Sequence, residues 1–186
     1  MDRINSLIAD LNEPLSMRHS VDILAWIDDE KAIDATINAI LYEDHQMRES
    51  AFNGLTRGGT LVVSRLIIAL QNESPLIREF VLEVLGKIKE PAANNAIIHM
   101  LSAETNHLVR QEAIKTLGQI ANPDSVVHLT PFLHYENKFT RWRTVEALGK
   151  INNDNARNAI AICLYDSDEN VRNAVRHLIY GNVSDK

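Results

Sequence analysis

Only one cysteine, Cys163, occurs in the 186 residues. No disulfide can form within the chain, which fits a reducing compartment. Aromatic residues amount to 5%. Seven glycines and five prolines are few, and the apolar residues are mostly Ile, Leu, Ala and Val, a balance that leans towards helix. No run approaches the roughly 20 apolar residues of a membrane span. The first residues, MDRINSLIADLNEP, carry acids and no apolar stretch long enough for a signal peptide, so a cytoplasmic protein is expected. No alternating strand pattern, linker, low-complexity run or second domain is visible. Catalytic signatures are missing too: there is no H-E-x-x-H, no G-x-S-x-G and no phosphate-binding glycine loop.

What is present is ordinary for a folded domain: 45% apolar and 24% charged residues. The net charge of −6 is uneven. Residues 1–95 hold 9 Lys/Arg against 15 Asp/Glu, while residues 96–186 hold 10 of each. An acidic surface repels phosphate backbones, so general binding of nucleic acid is disfavoured.

Self-similarity organises the rest. An arginine recurs at Arg18, Arg48, Arg78, Arg110, Arg141 and Arg172, with spacings of 30, 30, 32, 31 and 31. Leu41, Leu70, Leu101, Leu133 and Leu164 keep nearly the same period. In the clearest copy, VRQEAIKTLGQIANPDSVVHLTPFLHYEN, Val109, Ala113, Leu117 and Ile120 share one helical face. Asn122-Pro123 then breaks the chain, and Leu129 and Leu133 mark the buried face of a second helix. The expected fold is all-α: a right-handed solenoid of about six helix pairs, A then B. Units begin near 15, 46, 76, 107, 138 and 169 within one repeat domain, residues 1–186. Residues 1–14 form an N-terminal capping helix and 182–186 a tail, and half-units cover the two ends of the stack. Gly86, Gly118 and Gly149 recur near the end of helix A, where repetition of so poor a helix former points to close approach of neighbouring helices.

The string V-R-x-x-A-x-x-x-L-G-x-I, followed by Asn-Pro and an apolar helix ending in Leu, resembles the short HEAT-like repeat of the phycobilisome-lyase type. The likeness runs from about Leu15 to Gly181. It implies a helical-repeat superhelix, and it admits several roles: subunits of enzymes that attach bilins, phycobilisome-dismantling factors, and adaptors. Another branch of the family hydroxylates deoxyhypusine through paired His-Glu motifs that bind iron. None of the seven histidines here precedes a glutamate, so that branch is disfavoured.

Three features are candidate sites. The ladder Arg48, Arg78, Arg110, Arg141 and Arg172, with an acid four to six residues before each, reads as architecture that ties repeats together or caps helix A. The outer face of helix B is expected to line a concave groove. Counting seven and three residues before each marker leucine, and one after it, gives a stripe containing Tyr42, Val63, Ile67, Ile98, His134 and Tyr165. Such a stripe is apolar enough at its centre to bind protein, and Ile67→Asp should abolish that binding without loss of helix. Trp142 stands where the other units carry Glu49, Glu79, Gln111 and Asn173. With Lys138, Phe139, Arg141 and Arg143 it makes a basic, aromatic cluster suited to an interface or to stacking bases.

Pro131 should kink or loosen the fourth helix B. His128 and His134 flank it without a third ligand, and Cys163 reads as a packed thiol. No catalytic residue, metal or cofactor is expected. The leading expectation is a protein-binding adaptor. The alternatives are a bilin-lyase subunit and, less favoured, a nucleic-acid binder.

Overall fold

The computed structural model describes residues 3–11, 17–24, 27, 29–42 and 44–181. Every described regular element is helical. Among the described residues α1 (Arg3–Asp10) leads, and six A helices follow: α2 (Met17–Leu24), α4 (His45–Gly58), α6 (Pro75–Ile88), α8 (His107–Ile120), α10 (Lys138–Ile151) and α12 (Glu169–Tyr180). The B helices are shorter: α3 (Glu30–Asn38), α5 (Val63–Ala69), α7 (Asn94–Ala103), α9 (Ser125–Leu129) and α11 (Asp154–Ile160). The A helices begin within two residues of the starts read from the sequence. The fold is an all-α helical-repeat solenoid. The chain divides into two compact units, residues 1–96 and 97–186, with the division falling inside α7.

Local chemistry sets the helix ends. Asp44, Asn106, Asn137 and Asp168 N-cap α4, α8, α10 and α12, each accepting from backbone N–H groups of the first turn. The A helices α6, α8 and α10 end on Lys89, Ala121 and Asn152, all left-handed (φ 60°, 56° and 52°). No glycine announces those ends, so the sequence hid them. Pro91 and Pro123 lie just beyond, as they should after a helix stop.

In the first unit, Ile33, Ile37 and Ile40 of the B segment are buried with Leu55, Leu66 and Leu70. In the second, Val109, Ala113 and Leu117 of α8 are buried, as are Leu129 and Leu133 of the B segment and Val145 and Leu148 of α10, the helix that contacts both. Phe52 and Phe80 meet edge to face in the first unit, with centroids 6.4 Å apart.

Two expectations need correction here. Leu41 is exposed, and Ile40 takes the buried slot. The helix tightens into a 3₁₀ turn at Ala39–Leu41, which rotates the marker position by about one residue. Likewise Cys163, rather than Leu164, is the fully buried residue of its turn. Pro131 does sit where α9 gives way to a 3₁₀ turn, Thr130–His134. The corresponding turn Ala161–Tyr165 has no proline, so proline is not the sole cause.

Candidate protein-binding faces

The arginine ladder has one repeated geometry. Arg78 donates to the carbonyl oxygens of Asn72 and Glu73 at 2.8 and 3.0 Å. Arg110 donates to those of Glu104 and Thr105, Arg141 to Tyr135 and Glu136, and Arg172 to Asp166 and Ser167. Each guanidinium thus reaches back six and five residues to satisfy the carbonyls that close the preceding B segment. Such carbonyls have no partner within their own helix. Arg48 is exposed. The side chain of Arg18 lies outside the described residues. The ladder uses its donors on the fold itself.

Two rungs reach further, to equivalent positions one repeat on. The Arg110 guanidinium lies 5.0 Å from the centroid of the Tyr135 ring. Arg141 instead makes a two-pronged pair with Asp166, Nε to Oδ2 at 2.7 Å and Nη2 to Oδ1 at 2.8 Å. The two side chains are 12% and 8% exposed. This hydrogen-bonded guanidinium holds the Asp166 carboxyl below its ordinary value. Lys138 pairs with Asp168 at 3.0 Å and lowers that carboxyl in the same way. Burial raises the Cys163 thiol to about 11, which makes it inert as a nucleophile at neutral pH.

The B-helix stripe lies one residue away from where the count placed it. Val63 is only 4% exposed, and Asn94 and Val126 at the matching positions are buried. Seven residues at 100° each come back to within about 20° of the start, so a residue seven before a buried leucine faces inward with it. Ile67 and Ile98, three before, are half-buried on the edge of that face. The outward row runs nine, six and two residues before the marker and one after it. In the first unit it presents Leu61, Ser64, Ile68 and Gln71, all exposed. In the second it presents Val127 (70% exposed), Pro131, His134, Ile162 and Tyr165 (89%). His134 and Tyr165 are therefore on the open face, while Tyr42 is half-buried. Leu61, Ile68, Val127 and Ile162 were missed, although correct angular bookkeeping would have found them. Near the first-unit row, Arg65 bridges Asp34 and Glu30 across α5 and α3.

Trp142 is half-buried, with the Arg143 guanidinium 4.8 Å from its ring centroid. Arg143 also donates to Glu146 at 3.1 Å. Together with Lys138–Asp168 and Arg141–Asp166, this leaves the local arginines and Lys138 paired with carboxylates. That is poor equipment for holding phosphates. Beside Trp142 a cleft opens between α10 and α12. One part, about 440 Å³, is bordered by Trp142, Gly149, Lys150, Asn173, His177 and Leu178. A second, about 270 Å³, continues past Trp142 and Asn170 to Phe139.

The model of HEAT repeats matches residues 63–138 and 95–179, well over half of the chain. This protein belongs to the HEAT-repeat family. Among solved structures, a chain of the CpcE–CpcF complex of phycocyanin lyase from Nostoc sp. PCC7120 superposes with a TM-score of 0.72. It is 19% identical, over 81% of this HEAT chain and 99% of that one. A designed armadillo repeat protein in complex with a (KR)4 peptide has a TM-score of 0.58 and 14% identity, over 97% and 99%. In sequence, deoxyhypusine hydroxylase-B of Oryza sativa subsp. japonica is 37% identical over 75 residues, 40% of this chain. The chain spans about a quarter of that rice protein's length. At these levels the structural likenesses bear on fold alone. Among the described residues no three His, Cys, Asp or Glu side chains group as metal ligands would, and no helix is long and apolar enough to cross a membrane.

Proposed function

We propose that this HEAT-repeat protein is a cytoplasmic adaptor that binds a protein partner through the outward row of B-segment side chains in its second unit. The observation that carries this reading is the row itself. Val127, Ile162 and Tyr165 are large apolar side chains held open to solvent there, and Leu61 and Ile68 make a like row within the first unit. Such side chains on a rigid support bind with little loss of freedom, and clustered apolar exposure marks an interaction site. Ile67 and Ile98 border the row, His134 and Tyr165 lie in it, and Val63 belongs to the core. Retrieval of the tagged protein from its own cells should bring down a stoichiometric partner that Ile162→Asp releases, with the far-ultraviolet helical signal unchanged. Retention of the partner by Ile162→Asp would overturn the reading.

A second reading is favoured by the likeness to the phycocyanin-lyase complex chain, which this chain covers almost entirely. On that reading the protein is a subunit of a bilin-handling assembly. Visible absorbance in the retrieved complex supports it, and a colourless complex that takes up no added bilin removes it.

A further inference from the structure

The cleft between α10 and α12 is independent of the B-helix row, and its shape and charge point to a particular occupant. Its longer part extends from Trp142 to Lys150, eight residues of helix, or about 12 Å at 1.5 Å per residue. With the continuation to Phe139 the length suits about five residues of extended chain at roughly 3.3 Å each.

One side chain distinguishes the cleft from the pair before it. In the neighbouring pair, Gly118 of α8 faces the backbone of Ala147, so those helices touch. The corresponding partner of Gly149 is the side chain of Leu178, which stands between α10 and α12. Trp142 then forms an aromatic wall where the other repeats carry polar residues. Asn170 and Asn173 lie one turn apart on α12; the Asn173 Oδ1 accepts from Arg176 at 3.2 Å, which leaves its NH2 to donate to a peptide backbone, while the Asn170 amide can both donate and accept.

Charge selects the occupant further. The Lys138–Asp168 and Arg143–Glu146 pairs neutralise themselves. Lys150 is exposed, has no partner among the described residues, and borders the cleft at the same end as His177.

We infer that this cleft binds an extended peptide segment of a partner protein, with an apolar side chain against Trp142 and a carboxylate at Lys150. The pairing is a point charge with an acid at the rim, and the aromatic wall supplies the anchor.

The test is fluorescence anisotropy on the full chain with a labelled hexapeptide that has a central leucine and two acidic residues at one end. A twin peptide replaces those acids with lysines. Saturable binding of the acidic peptide is expected, at least tenfold tighter than the twin. Lys150→Glu should weaken it about tenfold and Trp142→Ala should abolish it, both variants melting as the parent does. Should Trp142→Ala fail to fold, Asn170→Ala and Lys150→Glu carry the test. Ile162→Asp, which disables the B-helix row, should leave peptide binding intact. Equal binding of the two peptides, indifference to Lys150→Glu, or no saturation at millimolar peptide overturns the inference. So does displacement by a single-stranded oligonucleotide, which would mark the cleft as a nucleic-acid site.

Discussion

The helix pairs α8–α10 and α10–α12 are built on the same repeat yet join in different ways. A Cβ placed on Gly118 would lie 2.5 Å from the Cα of Ala147, so α8 and α10 meet through their backbones. A Cβ on Gly149 would instead lie nearest the Leu178 side chain, 2.5 and 2.6 Å from its methyl groups and 3.1 Å from its Cγ. The first pair meets backbone to backbone at Gly118, while the second has the Leu178 side chain between its helices at Gly149 and carries the cleft. The clasps differ in parallel: Arg110 stacks on the Tyr135 ring, and Arg141 grips the Asp166 carboxylate. A repeat family can therefore keep its period while a leucine in place of an alanine, and an acid in place of a tyrosine, turn one interface into a site.

Substitution at the close contact should have the largest effect. In Gly118→Ala the new methyl has no room, because backbone cannot rotate away. Overpacking of this kind costs about 1–3 kcal/mol, only partly offset by the helical preference of alanine. Urea denaturation should show a net loss of about 2 kcal/mol. A neutral result would mean that α8 and α10 separate easily and that the comparison is wrong.

The charged clasp should reveal itself through pH. Asp166 is held below its ordinary 3.8 by Arg141. A carboxyl with a lowered folded value contributes stability that is complete above the unfolded value and disappears as pH falls through the folded one. Acid should therefore weaken the α10–α12 clasp below about pH 4, while the Arg110–Tyr135 clasp, with no carboxylate, is untouched. Asp166→Asn should lose about 1.5–2 kcal/mol at neutral pH, the low end of the scale of hydrogen bonds to charged groups, and flatten the acid limb of the melting curve. Equal acid sensitivity in parent and variant would show that other carboxylates dominate. Cys163 acts at the opposite extreme: its thiol, raised to about 11, contributes stability that is complete below pH 9 and lost as pH rises through 11.

Much of this was readable in advance, for physical reasons specific to each residue. Arg78, Arg110, Arg141 and Arg172 make the same carbonyl clasp, and a need shared between units keeps one residue at a period near 31, so the arginines exposed the fold. Gly118 was visible because only a missing Cβ allows the approach to the Ala147 backbone, whereas at Gly149 the expected close approach of helices gives way to the Leu178 side chain. What stood beyond reach was the identity of each glycine's partner, Ala147 or Leu178, since no local pattern pairs residues 29 apart. The B-helix stripe was legible but misplaced by an angular slip, and Leu41 was misassigned because a 3₁₀ turn changes the angle per residue. The left-handed ends at Lys89 and Ala121 gave no signal, as neither is the glycine such a position favours.

That last point yields a smaller effect, common to both helix pairs. Ala121 ends α8 at φ 56°, where an L-residue with a Cβ is disfavoured by about 1–2 kcal/mol. Glycine there relieves the strain but gives the unfolded chain more freedom. Ala121→Gly should stabilise by about 0.5–1 kcal/mol. Asn152→Gly, at the same position of α10, should gain less, because asparagine tolerates this region. Equal gains would mean that strain is not what separates the two ends.

Gly149→Ala should be the mildest change of all, and it sharpens the comparison most. The clash it creates is with the far end of Leu178, a side chain that is itself exposed at the cleft and can swing to another rotamer. Against that small cost stands a helical preference for alanine over glycine of up to about 1 kcal/mol. The two should nearly cancel, leaving stability within about 0.5 kcal/mol of the parent, in contrast to the loss at Gly118. If Gly149→Ala instead destabilises as much as Gly118→Ala, then Leu178 is fixed as firmly as backbone, and α10 and α12 are packed as tightly as α8 and α10. The cleft would then be a rigid gap rather than one that an entering peptide can widen by turning Leu178 aside.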